Sequence, residues 1–228
     1  MPLLGLAEEH LRDAMSEVAR HLLAMGARLV YGGDLRARGF SELLFELVAR
    51  YRRDADVGDM RAAVVSYLPW PVHCGMSTEE IQAVVHDLKG LAEIHCLDRQ
   101  GQEIALNAVP QVRHLHAPTG EDWSDSLTAL RRVMTAACDA RIVLGGSTAG
   151  FKGHMPGIGE EALCSLSAQQ PIFVLGGFGG CARDIAEDMN LTASGSGGIA
   201  WAGRDKFADL GVSDLRNGLS SDENETLA

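Results

Sequence analysis

Apolar residues at Leu11, Met15, Val18 and Leu22 recur at helical spacing and predict a first helix from about Ala7 to Met25, with Gly26 as its C-cap. A short apolar run at 27–31 predicts a strand, followed by a turn from Gly32 to Gly39. A second helix is expected from near Ser41, with Leu43, Leu44, Leu47, Val48 and Tyr51 on one side. The charged run Arg52–Asp59 reads as a solvated loop, and Ala62–Tyr67 as a buried strand. Ser77-Thr-Glu-Glu80 has the form of a capping box ahead of Ile81, Val84, Val85 and Leu88. Ala92–Leu97 is the next strand. Residues Asp98–Asp125 fit no period and read as a long connection. Leu127, Leu130, Met134 and Ala137 mark a helix leading to a strand at Arg141–Leu144. A helix at Glu160–Ser167, a strand at Pro171–Leu175, a helix from Cys181 to Met189 and small helical pieces complete the pattern.

Helix and strand alternate throughout. That order predicts an α/β fold of the Rossmann-like, doubly wound kind: a mainly parallel sheet with helices on both faces, joined by right-handed crossovers.

Three of the strands stop at paired glycines: Leu29-Val-Tyr-Gly-Gly-Asp34, Ile142-Val-Leu-Gly-Gly146 and Ile172-Phe-Val-Leu-Gly-Gly177. Ligands of open α/β sheets sit at the carboxyl ends of strands, where glycine lets backbone N–H groups approach an anion. The first turn contains Gly32, Gly33, Asp34, Arg36, Arg38, Gly39 and Phe40. Its glycines read either as an anion cradle or as a tight turn, and Asp34 as a ribose acceptor or a turn cap. The second turn carries Gly145, Gly146, Ser147, Lys152, Gly153, Met155, Pro156 and Gly157. Lys152 is the candidate point charge for a phosphate. Glu160 and Glu161 follow in the first turn of the next helix, placed either to complement its dipole or to meet a ligand hydroxyl. The third turn is Gly176-Gly177-Phe178-Gly179, where Phe178 either stacks on a ring or covers the glycines.

Composition narrows the partners. A net charge of −11 argues against nucleic acid, whose binding rests on phosphate neutralisation by Lys and Arg. It leaves room for a small anion held by backbone dipoles. Cys74, Cys96, Cys138, Cys164 and Cys181 form no Cys-x-x-Cys pair and read as reduced, mostly buried thiols. No apolar stretch approaches the ~18 residues that span a bilayer, and no signal pattern opens the chain, so a cytoplasmic protein without membrane partners is expected. His114 and His116 have no ligand at zinc spacing, so no metal site is expected, and His154 reads as structural. There is no Gly-x-Ser-x-Gly elbow and no P-loop, and no catalytic residue is assigned.

Leu29-Val-Tyr-Gly-Gly-Asp, Val143-Leu-Gly-Gly and Met155-Pro-Gly-Ile-Gly-Glu-Glu-Ala162 resemble the SLOG superfamily, a Rossmann-like group. It includes the LOG or "lysine decarboxylase-like" phosphoribohydrolases, the DNA-processing protein DprA and sensor domains of bacterial antiphage systems. The resemblance runs from about Leu11 to Met189 and is closest to the sensor branch, exemplified by the C-terminal domain of Thoeris NADase effectors. LOG enzymes carry Pro-Gly-Gly-x-Gly-Thr-x-x-Glu; here Ile158 stands at the third position and Cys164 at that of the last glutamate.

The resemblance implies a domain that binds ADP-ribose or a cyclic ADP-ribose-type signal and regulates an effector in cis or in trans, acting as a homo-oligomer in antiphage defence. No cofactor beyond the nucleotide ligand is implied. The glycine turns would hold the phosphates with Lys152, Arg36 or Arg38, and Asp34, Glu160 or Glu161 would meet the ribose. The alternative is a LOG-like phosphoribohydrolase acting on nucleoside monophosphates. The chain opens on a helix where such domains open on a strand, and 220–225 reads as a helix start near its end. Residues 1–228 are therefore expected to be a single SLOG-like domain, a fragment or module of a longer protein.

Overall fold

The computed structural model describes residues 8–32, 40–54, 62–105, 117–192 and 200–209. They gather into two units: the larger runs to Cys138 and takes in Lys152–His154, and the other comprises Asp139–Phe151 and the chain from Met155.

The larger unit alternates α1 (Glu8–Ala24), β1 (Leu29–Gly32), α2 (Phe40–Asp54), β2 (Val64–Leu68), α3 (Trp70–His73), α4 (Thr78–Asp87), β3 (Ala92–Leu97), β4 (Glu103–Ile104) and α5 (Gly120–Ala136). Its sheet runs β1-β2-β3-β4, with β1, β2 and β3 parallel and β4 antiparallel to β3. Strand side chains alternate between faces, and the packing follows that period. Val64 packs with Ala19 and Leu23 of α1 and Leu44 and Val48 of α2, and Leu68, Ile94 and Cys96 pack with Ile81 of α4. On the opposite face Val30, Tyr67 and Leu97 meet Leu130 and Met134 of α5. The sheet is therefore covered on both sides, as a Rossmann-like α/β fold requires.

Local chemistry sets the helix ends. Gly26 adopts φ +82°, and the N–H of Ala27 reaches back to the Leu22 carbonyl while that of Gly26 reaches Leu23, which closes α1. Ser77 and Glu80 form the expected capping box on α4. Thr119 and Asp122 form a second one on α5.

That second box corrects the sequence reading. Helix α5 starts at Gly120, inside the stretch 98–125 read as a connection, which also holds β4. A two-residue strand is too short to show a period, and the apolar stripe of α5 becomes regular only after its polar first turns. The one-turn helix α3 was also not anticipated, because four residues carry no periodic signal. β4 adds an antiparallel edge to an otherwise parallel sheet.

The second unit holds β5 (Arg141–Leu144), α6 (Gly157–Ser167), β6 (Ile172–Leu175), a 3-10 turn at Gly176–Phe178, α7 (Gly180–Asp188) and α8 (Asp205–Asp209). β5 and β6 are parallel. Val143, Ala162, Cys181, Ile185, Met189, Trp201 and Phe207 form its core. Residues 200–209 are tied to α7: Trp201 Nε1 donates to Asp184 at 2.9 Å, and the Arg204 guanidinium grips both carboxylate oxygens of Asp188 at 2.7 and 2.8 Å. Among the described residues no helix is long and apolar enough to cross a membrane.

Candidate functional site

The turn after β5 is built for close backbone approach. Gly145 and Gly146 take φ +59° and +86°, a region that L side chains rarely adopt. A Cβ on Gly146 would stand 2.6 Å from Ile158 Cγ1, so the second glycine lets the start of α6 pack against the strand end. The exposed Ser147 hydroxyl donates to the Ala149 carbonyl at 2.6 Å and shapes the loop. Pro156, buried, is the N-cap of α6 and provides no side-chain cap. The first N–H groups of the helix, at Gly157 and Ile158, have no acceptor within the helix. The Gly159 N–H meets the buried Cys181 thiol, whose pKa desolvation pushes up to about 12. Met155 lies over Gly203, where a Cβ would stand 2.7 Å from its Cε.

The turn after β6 looks alike in sequence and differs in structure. There the N–H groups of Cys181 and Ala182, which open α7, donate to the carbonyls of Gly146 and Gly145 at 3.0 and 2.9 Å. A Cβ on Gly180, itself at φ +68°, would sit 2.3 Å from the Gly146 oxygen. These glycines join the ends of β5 and β6 through α7. Gly176 is also tight, its Cβ position 2.9 Å from Ala186 Cβ, whereas Gly177 has open space around it. Gly179, at φ +76°, is buried, and Phe178 is half-buried.

The two glutamates of α6 part company. Glu161 accepts from Arg141 Nη1 at 2.8 Å, while Arg141 Nε donates to the Ser165 hydroxyl at 2.9 Å. Arg141 opens β5 and the glycine turn closes it, some three residues or about 10 Å away along the strand. The bond to Arg141 thus carries the Glu161 carboxylate towards the far end of β5. Glu160 is buried at the helix start, nearer the turn.

In the larger unit, Gly32 ends β1 beneath α5, and a Cβ there would lie 2.2 Å from the Met134 sulfur. Gly33, Asp34, Arg36, Arg38 and Gly39 lie outside the described residues; Phe40 begins α2. Lys152 is exposed and places its ammonium 3.6 Å from the centroid of the Trp123 ring on α5. Two residues on, His154 Nε2 stands 2.9 Å from the Asp125 carboxylate, both side chains exposed. Gly153 lies between them.

A family model described as SLOG cluster2 matches residues 1–196. The chain belongs to this SLOG family. Membership places it among nucleotide-related ligand-binding or LOG-like domains. No curated protein and no solved structure matches it.

Three features of this SLOG chain escaped the sequence reading. Arg141 as the partner of Glu161 has no short-range signal, since the two lie twenty residues apart. Trp123 lies in the stretch 98–125 that reads as a connection, and its place directly after the Thr119-x-x-Asp122 box is the available clue. His73 is buried at the carboxyl end of β2, with Nε2 donating to the Leu97 carbonyl at 2.8 Å and Nδ1 without a partner. Burial lowers its pKa, so the ring is held neutral. Among the described residues no group of three or more His, Cys, Asp or Glu is placed to hold a metal ion.

Proposed function

We propose that this chain is a nucleotide-sensing domain, allied to the sensor branch of the SLOG group. It binds ADP-ribose or a cyclic ADP-ribose-type signal and regulates an attached or partner effector in antiphage defence. The observation that carries the reading is the contrast within α6: its start is an uncapped helix end behind a glycine loop, while Glu161 is engaged by Arg141. Backbone donors at such a start suit a phosphate. Hydrolysis of an N-glycosidic bond needs in addition a carboxylate held at the ribose. A carboxylate drawn along the helix by Arg141 does not serve that purpose, and Cys164 stands where LOG enzymes have their last glutamate. The loop then binds without cleaving. Lys152, in the same loop, adds a point charge, and signal binding changes the packing of an oligomer, because a ligand shifts a state only through differential affinity.

Thermal shift with ADP-ribose, its cyclic isomers and NAD tests the reading. Ligand at about 100 times its dissociation constant adds roughly 2.7 kcal/mol of stability. No shift with any of the panel would overturn it. Incubation with AMP, NAD and ADP-ribose followed by chromatography is expected to return the nucleotides intact; release of base at several turnovers per second would restore the hydrolase.

A further inference from the structure

Within the second unit, residues 200–209 strap α7 to the start of α6. A Cβ on Gly159, in the first turn of α6, would stand 3.1 Å from Trp201 Cη2 and Cζ3, so the indole lies directly on the helix backbone. We propose that Trp201 is a positioning residue: it fixes the start of α6 and so sets ligand affinity without touching the ligand. This inference rests on the nucleotide-binding reading above and adds to it the side chain that holds the phosphate-binding backbone in place.

Three observations carry it. The first is that the cap of α6 does not lock the helix start, since Pro156 makes no side-chain cap hydrogen bond. The second is that the strap touches the chain on both sides of that cap. Gly159 lies buried under the indole, and Met155 lies over Gly203, whose φ of +85° and bare backbone admit its Cε. The third is anchorage. Trp201 Nε1 donates to Asp184 of α7 at 2.9 Å, and Arg204 Nη1 stands 3.5 Å from the same carboxylate while its other nitrogens hold Asp188. Phe207, fully buried, meets the indole edge-on with ring centroids 5.8 Å apart. The first N–H groups of α7 are in turn bound to the carbonyls of Gly145 and Gly146. The strap therefore braces α6 against a helix that is itself fastened to the glycine turn. Backbone N–H groups hold an oxygen only within about 2.7–3.2 Å, so a small shift of the α6 start loses bonds to a phosphate. The strap lies after residue 196, where the match to the SLOG family ends.

The test compares two probes, ADP-ribose and the base-free ribose 5-phosphate, by calorimetry on the wild-type chain and its variants, each checked for folding by circular dichroism. Trp201→Leu, which uncovers Gly159 and frees Asp184, is expected to weaken both probes about tenfold, the worth of one charge-assisted hydrogen bond. Trp201→Phe keeps a ring over Gly159 and loses only the Nε1 bond, so it is expected to restore most of the affinity and cost about threefold. It decides the matter if the leucine variant does not fold. Val174→Ala is the control: Val174 packs on the same core, and its loss should lower the melting temperature while leaving both affinities within about twofold of wild type. Affinities within about twofold of wild type in the deciding Trp201 variant, or an equal loss in Val174→Ala, would overturn the positioning role and leave the nucleotide reading standing. Failure of the wild-type chain to bind either probe would overturn the nucleotide reading and this inference together.

Discussion

Helices α6 and α7 each begin behind a glycine turn at the end of a parallel strand, and the two starts are put to different use. At α7 the first N–H groups are bound to the carbonyls of Gly146 and Gly145, and the glycines exist so that two backbones can touch. At α6 the N-cap is Pro156, which makes no side-chain cap hydrogen bond. Paired glycine after a strand is thus two different devices. One stitches the sheet end to a helix, and the other is the anion cradle that we propose. The carboxyl end of β2 is a third case, without glycine: Pro69, Trp70 and His73 cover it with buried side chains.

The largest effect expected from this contrast is at Gly180. An alanine there brings its Cβ to 2.3 Å from the Gly146 oxygen at φ +68°. Gly180→Ala should cost at least about 3 kcal/mol in chemical denaturation, or prevent folding. A mild effect would mean that the α7 start is as loose as that of α6, and the comparison would fail.

Glu161→Gln sharpens the reading of α6 itself. Removing one partner of a buried ion pair costs about 3–5 kcal/mol, and the partial exposure of Glu161 reduces the expectation to roughly 2–3 kcal/mol. Ligand affinity should be unchanged. Stability intact with binding lost would make Glu161 a ligand residue.

The covered β2 end makes a pH prediction. Burial depresses the pKa of folded His73 below its ordinary 6.5. The unfolded chain then binds more protons than the folded one as pH falls through 6.5. Stability contributed by neutral His73 is present above that pH and is lost below it. Urea midpoints measured from pH 8 to 5 should fall on the acid side, and His73→Gln should flatten that fall. An unchanged slope in the variant would show that the end of β2 is open to water.

The smallest effect is expected at Gly177, which has open space around its Cβ position. Gly177→Ala should change stability by less than about 0.5 kcal/mol, in contrast to Gly180 three residues on.

Much of the fold was legible because its signals are local. The stripe Leu11, Met15, Val18 and Leu22, the cap at Gly26 and the Ser77–Glu80 box all act over a few residues, and each appears where it was read. The start of α5 was missed although its signal is equally local, because polar turns hide the stripe. The site was less legible. Gly32, Gly146 and Gly180 are alike in sequence, and what each is for depends on which atom stands where a Cβ would go: the Met134 sulfur, Ile158 Cγ1 or the Gly146 carbonyl.

The sequence by itself determined the Rossmann-like α/β class, most helix and strand positions and the SLOG kinship, since periodicity, caps and motifs are properties of neighbouring residues. Tertiary structure alone decided that Glu161 answers Arg141, that the α7 start is closed by Gly145 and Gly146, and that Lys152 rests on Trp123. Each of those pairings joins residues twenty or more positions apart. Their energies depend on distances of a few ångströms that no local pattern encodes.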